Sequence, residues 1–157
     1  MVDADFEPLG EEEMRQAIEL LFFAYRDFTS EPDALLAEYG FGRAHHRVIY
    51  FVGRNPGITV SELLAILKIT KQSLSRVLGQ LVREGFVEQR SDSDDLRRRL
   101  LYLMPRAVEL ERRLTATQSR RIAAACGTAG ASAMEGFRTV LRGIINEEDR
   151  TRVGGGD

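Results

Sequence analysis

Six side chains that donate or accept hydrogen bonds or carry positive charge, Thr70, Lys71, Gln72, Ser73, Ser75 and Arg76, crowd the start of the stretch ITKQSLSRVLGQLVREGF, residues 69 to 86. Only Leu74 interrupts them. Gln can bind adenine in a bidentate fashion, Arg and Lys favour the O6/N7 edge of guanine, and Ser or Thr hydroxyls serve bases or phosphates alike. At the start of a helix these groups would be joined by free backbone amides and the positive end of the helix dipole. That end is an anion site before any side chain is counted.

The elements that must position these groups are legible in the apolar spacing. Leu74, Val77, Leu78, Leu81 and Val82 fall on one stripe of a helix, which leaves Gln72, Arg76, Gly79 and Arg83 on the opposite face, flanked by Ser73 and Ser75. Thr70 is suited to cap the start and Gly85 to end it. Upstream, ITVSELLAILKI sets Thr59 three residues ahead of Glu62, a capping-box spacing, and this shorter helix has to end by Ile69. Two helices about three residues apart form a helix-turn-helix, whose second helix enters the major groove amino end first. For Gly79 the spacing leaves two roles open, close approach of a neighbouring backbone or a plain surface glycine.

Beyond Gly85 the period changes. FVEQR and RRLLYL read as strands and the polar SDSDDL between them as their turn. A hairpin carrying Arg97, Arg98 and Arg99 is narrow enough to lie over a minor groove, with Asp95 placed to orient Arg97. A solvated hairpin with unspecific charges is the alternative.

The rest of the chain reads as helices. Met14, Ile18, Leu21, Phe22, Tyr25 and Phe28 recur at helical spacing over 11 to 28. Ser30 and Pro32 suit the start of a separate short helix ending near Gly40, and 43 to 53 resumes the pattern before the stop GRNPG. Pro105 opens a long helix, GTAG interrupts it, and a last helix from 131 to 149 aligns Met134, Phe137, Leu141, Ile144 and Ile145. The tail RVGGGD follows no strand, so its glycines are not a phosphate loop.

Composition bounds the function. The 157 residues carry 22 Lys/Arg against 24 Asp/Glu, for a net charge of −2. The charge is segregated. Residues 1 to 44 hold 3 basic and 11 acidic side chains, whereas 68 to 106 hold 9 basic and 5 acidic. A local basic patch can bind phosphates while an acidic remainder keeps the molecule soluble, although a solvated face would give the same counts. The single cysteine, Cys126, excludes an intrachain disulfide and a multi-cysteine zinc site and fits a reducing compartment. The start, MVDADFEPLGEEEM, is acidic where a signal peptide would be basic and then apolar, and no apolar run suggests a membrane span. A cytoplasmic protein is expected. HExxH, P-loop and paired Cys/His spacings are lacking, which speaks against an enzyme and against a metal or cofactor. A helix-turn-helix used as a protein-interaction scaffold is the other alternative.

His45 and His46 are adjacent, point about 100° apart on a helix, and do not chelate as an i, i+4 pair would. Packing or surface roles compete with contact to an anionic effector or pH sensing. Cys126 has Arg120 and Arg121 nearby but alanine neighbours, which fits a buried inert thiol.

With these elements in place, the sequence resembles the MarR (multiple-antibiotic-resistance regulator) family of winged-helix transcription factors over nearly its whole length. The match is most specific where TVSELLAILKI and TKQSLSRVLGQLVREGFVEQR align with the family's helix-turn-helix and first wing strand, and where Asp95, Arg97, Leu101 and Leu103 match its wing signature. Leu96 departs from the family, which often places Arg there, and Met104 and Ala107 stand where Thr and Gly are usual.

The resemblance implies a mainly α fold, a winged helix-turn-helix with a small β-hairpin wing and amino- and carboxy-terminal dimerisation helices. The DNA-binding lobe would span 43 to 104, and residues 11–40 and 106–149 would supply the dimer, with Phe22, Tyr25, Phe137, Leu141 and Ile144 in its interface. It implies a homodimer that binds a palindromic double-stranded DNA operator through Thr70, Lys71, Gln72, Ser73, Ser75, Arg76, Arg97 and Arg98. The regulator would be a repressor relieved by a small effector near His45 and His46. The family's redox-sensing branch carries its cysteine near the amino end, so peroxide sensing is not expected.

Overall fold

The computed structural model describes residues 7–154. The first six residues of the acidic start and the end of the glycine tail lie outside them. The chain is mainly helical: α1 (Glu11–Ala37), α2 (Arg43–Arg54), β1 (Ile58–Thr59), α3 (Val60–Leu67), α4 (Lys71–Arg83), β2 (Val87–Ser91), β3 (Arg99–Leu103), α5 (Pro105–Ala129), α6 (Ala131–Ile144) and α7 (Glu147–Arg150).

The expected break near Ser30 is absent, and α1 runs through Pro32 as one helix. Hydroxyls tie the turn ahead of the proline together: Thr29 Oγ1 donates to the carbonyls of Tyr25 and Arg26, and Ser30 Oγ donates to that of Asp27. Pro32 itself is buried, so tertiary packing overrides its helix-breaking tendency. The expected last helix, by contrast, is divided, because Ile145 is extended and Asn146 starts the short α7.

The helix-turn-helix forms as its spacing predicts. Thr59 Oγ1 accepts from the Glu62 amide at 3.1 Å, and Glu62 Oε2 accepts from the Thr59 amide at 2.8 Å, which completes the capping box of α3. Lys68 ends that helix in the left-handed region at φ 50°, and Thr70 Oγ1 caps α4 by accepting from the Ser73 amide at 3.1 Å. Gly85, at φ 76°, closes α4 in the conformation that glycine adopts without strain.

The wing is an antiparallel pair with Val87 opposite Leu103 and Ser91 opposite Arg99. A third strand, not expected from the residue pattern, joins the pair. Ile58 and Thr59 pair with Leu101 and Leu100, giving the order β1-β3-β2. Two residues are too short a run to show alternation. Leu74, Val77, Leu78 and Leu81 of α4 join Val48, Ile49 and Val52 of α2 and Phe86, Val87 and Leu101 of the wing in one core. Val82, at the edge of the predicted stripe, is 36% exposed instead.

Leu81 is fully buried, so Leu81→Ala should cost about 2–5 kcal/mol of stability in urea denaturation, whereas Val82→Ala should cost about 0.5 kcal/mol or less.

Candidate nucleic-acid interface

With its apolar stripe committed to the core, α4 presents Lys71, Gln72, Ser75 and Arg76 to solvent. Thr70 and Ser73 belong to the same tip but are engaged with each other. The Thr70 hydroxyl donates to Ser73 Oγ at 2.9 Å while accepting from the Ser73 amide. Two of the six polar residues therefore shape the helix start, and four stand free at its outer face.

The helix is held from behind by a link the sequence did not disclose. His45 Nδ1 accepts from the Gly42 amide at 3.0 Å, at the start of α2, and its Nε2 lies 2.7 Å from Gln80 Oε1 on α4. Because Nδ1 is the acceptor, Nε2 carries the proton and donates. The ring also stacks on Phe41, centroid to centroid 4.8 Å at 11°. His45 is thus a strut between α2 and α4.

Gly79 is not needed for a close approach within the chain. The only group near the place of its missing Cβ is the flexible end of Arg83, at 3.1 Å. The α4 face at Gly79 is therefore overlain by a side chain that can move aside.

In the wing, the hairpin is built by its carboxylates. Asp95 Oδ1 accepts from the Arg97 amide at 3.0 Å and lies 3.5 Å from the Arg97 guanidinium, whose side chain is 95% exposed. Asp92, mostly buried, holds Arg98 at 3.6 Å. Phe86, at the base of the wing, is surrounded by Tyr39, Phe41 and the Arg106 guanidinium, the last 4.2 Å from the ring centre. Arg106 also donates to the Glu84 carbonyl, so it braces the hairpin. Lys68, counted in the basic segment, lies against α7 instead, with Glu148 at 2.6 Å and Asp149 at 3.2 Å. These carboxylates hold its pKa above the ordinary value.

The two histidines part company. His46 lines a cavity of about 460 Å³ between α1, α2 and α5, with Tyr25, Phe28, Arg43, Arg47, Tyr50 and Gln118 among its walls; His45 does not. Arg47 donates to the Tyr25 hydroxyl across it at 2.7 Å. Tyr25, expected in a dimer interface, is therefore also a cavity residue. Phe22, Phe137 and Ile144 are 63%, 49% and 59% exposed, and Leu141 is half-buried. Cys126 is half-buried beside Met134 rather than beside the arginines. Among the described residues no cluster of His, Cys, Asp and Glu is arranged to hold a metal, and no helix is long and apolar enough to cross a membrane.

A recognition helix presented by a helix-turn-helix and flanked by an arginine-tipped three-stranded wing defines a winged helix-turn-helix protein. The MarR family model matches residues 39–98, the stretch from the end of α1 through the wing tip. The HTH-type transcriptional regulator PetP of Rhodobacter capsulatus is 46% identical over 138 residues, covering 88% of this chain and 83% of that one. The chain belongs to the MarR family. Solved structures with the same fold include Streptococcus pneumoniae FabT in complex with DNA, at a TM-score of 0.72, 16% identity and coverage of 84% of this chain and 94% of that one. A crystal structure of MarR superposes at a TM-score of 0.66 with 22% identity over 97% of each chain.

Burial pushes the His46 imidazole below its ordinary value of 6.5, although Asp33 and Glu111 pull the other way. Between the lowered folded value and the ordinary unfolded one, the unfolded chain binds the additional proton. This contribution to stability is full above 6.5 and shrinks as pH falls below it. Thermal melting should therefore drop between about pH 7.5 and pH 5.5, and His46→Gln should flatten that part of the profile.

Proposed function

We propose that this MarR-family regulator is a homodimer that binds a palindromic operator in double-stranded DNA and represses transcription until a small effector releases it. The observation that carries the reading is the exposed tip of α4, where Lys71, Gln72, Ser75 and Arg76 surround the positive end of a helix whose back is buried. Such a tip fits the major groove, with Gln72 and Arg76 on base edges and Lys71 and Ser75 within reach of bases or phosphates. Thr70 and Ser73 keep the tip in shape and offer their remaining hydrogen-bonding capacity to the backbone of the duplex. Arg97 at the wing apex takes the minor groove, and Arg98, drawn back by Asp92, takes a phosphate.

The exposed apolar residues of α1 and α6 support a dimer. Ile18, Leu21, Phe22, Phe137, Val140 and Ile144 are too large a set for two otherwise amphipathic helices to leave in water. Residues 11–40 and 106–149 then form the dimerisation lobe and 43–104 the DNA-binding lobe. Two recognition helices so joined would address half-sites about 34 Å apart. The cavity beside His46 lies where the lobes meet and is the place for an effector, with Arg43 and Arg47 suited to an anionic group. A protein with this task works in the cytoplasm.

Electrophoretic mobility shifts on duplex DNA over a salt series test the reading. Several neutralised phosphates give a steep fall of log K with log salt, and a protein-interaction scaffold gives none. On a selected binding site, Arg76→Ala should cost about 1–3 kcal/mol on that site and little on random DNA, whereas Arg98→Ala should weaken both alike. Equal losses on both DNAs for Arg76→Ala would contradict its assignment to a base edge.

A further inference from the structure

At the wing tip, Leu96 is 75% exposed, more than any other large apolar side chain among the described residues. It is remote in kind from the apolar faces of α1 and α6, because its neighbours in the hairpin are Asp92, Ser93, Asp94, Asp95, Arg97 and Arg98. A single exposed leucine is ordinary on a protein surface, so its placement decides what it can do.

The placement is enforced by Asp95. Its side chain accepts from the Arg97 amide at 3.0 Å and its carbonyl accepts from the Arg98 amide, also at 3.0 Å. These two bonds close a turn in which Leu96 and Arg97 occupy the two central positions, the apex. Asp92 draws Arg98 back toward the strands, so the two central positions of the turn carry one apolar and one cationic side chain, preceded in the loop by the exposed Ser93 and Asp94. The Asp95 carboxylate and carbonyl, not packing of its own side chain, hold Leu96 there, and most of its surface is open to water.

We infer that Leu96 is an apolar wedge that the wing inserts at the floor of the minor groove, beside Arg97, to read the ease with which a base step unstacks. The inference rests on the DNA-binding reading above and adds a specificity determinant to it. Arg97 is drawn by the negative potential of a narrow A·T-rich groove, whereas a branched apolar side chain gains by entering a partly opened base step. Pyrimidine–purine steps, TA and CA/TG, open most readily, so Leu96 selects them at positions where no hydrogen bond reads a base.

The test is selection of binding sites from a random-sequence duplex pool by the purified full chain, by Leu96→Ala and by Leu96→Met. Substitution at the exposed apex leaves the core untouched. The wild type and Leu96→Met should enrich a pyrimidine–purine step at a fixed distance outside each half-site. Leu96→Ala should keep the half-site centre, lose the step, and bind the step-bearing duplex roughly tenfold more weakly. In a selected TA-bearing duplex, 2-aminopurine in place of the adenine of that step should brighten on binding the wild type and not on binding Leu96→Ala. Identical step preference and identical fluorescence for wild type and Leu96→Ala would overturn the wedge while leaving DNA binding intact. A pool from which the wild type enriches no sequence would overturn the DNA-binding reading, and the wedge with it.

Discussion

Burial of one face of α4 is the constraint on which the interface depends. Leu74, Val77, Leu78 and Leu81 are nearly water-free, and they share a core with α2 and the base of the wing. A helix anchored through four such positions has no rotational freedom left, because a turn of even one residue would bring a polar side chain into the core and a leucine out of it. The orientation of Gln72 and Arg76 is therefore set by side chains that never meet solvent. The His45–Gln80 bond fixes the far end of the same helix, and the Thr70 cap fixes its near end. Between them the polar face of α4 is held in one orientation, so binding through it need not order it.

Charge follows a second level of organisation. Overall acidity is no guide to the partner, because acid is concentrated toward the amino end and the cations cluster around α4 and the wing. Even within the basic segment the cations divide. Lys68 is tied to α7, Arg90 to Glu88 and over the Tyr102 ring, and Arg106 to the wing base. Arg97 keeps nearly all its surface in water. These exposed pairs contribute little stability and are screened by salt, but they sort the arginines into those that brace the fold and those that face outward.

The helix-turn-helix was legible because each of its signals is local: a four-residue capping box, a cap three residues before the amide that donates to it, a stripe of period 3.6 and a glycine at the stop. The wing was legible from a change of period and a turn-forming run. What sequence reasoning missed is set by distant contacts or by very short elements. β1 exists only because β3 passes beside it, and α1 continues through Pro32 because the proline is packed against the rest of the fold. The separation of His45 from His46 follows from their 100° difference on α2, which was visible, but which of them faces the cavity was not. The ion pair of Lys68 with Glu148 joins residues 80 apart in the chain, and neither side carries a local mark of it.

In the proposed account, the cavity touches α1 and α5 of the dimerisation lobe and α2, which grips the recognition helix through His45. A ligand there would act on the position of both reading heads at once, provided that two of them are held in fixed register. Hydroxyl-radical footprinting of the purified protein on a selected duplex tests that central claim most directly. Two protected half-sites related by twofold symmetry, with centres about 10 bp apart, are expected. A single unsymmetrical patch of protection would contradict that claim.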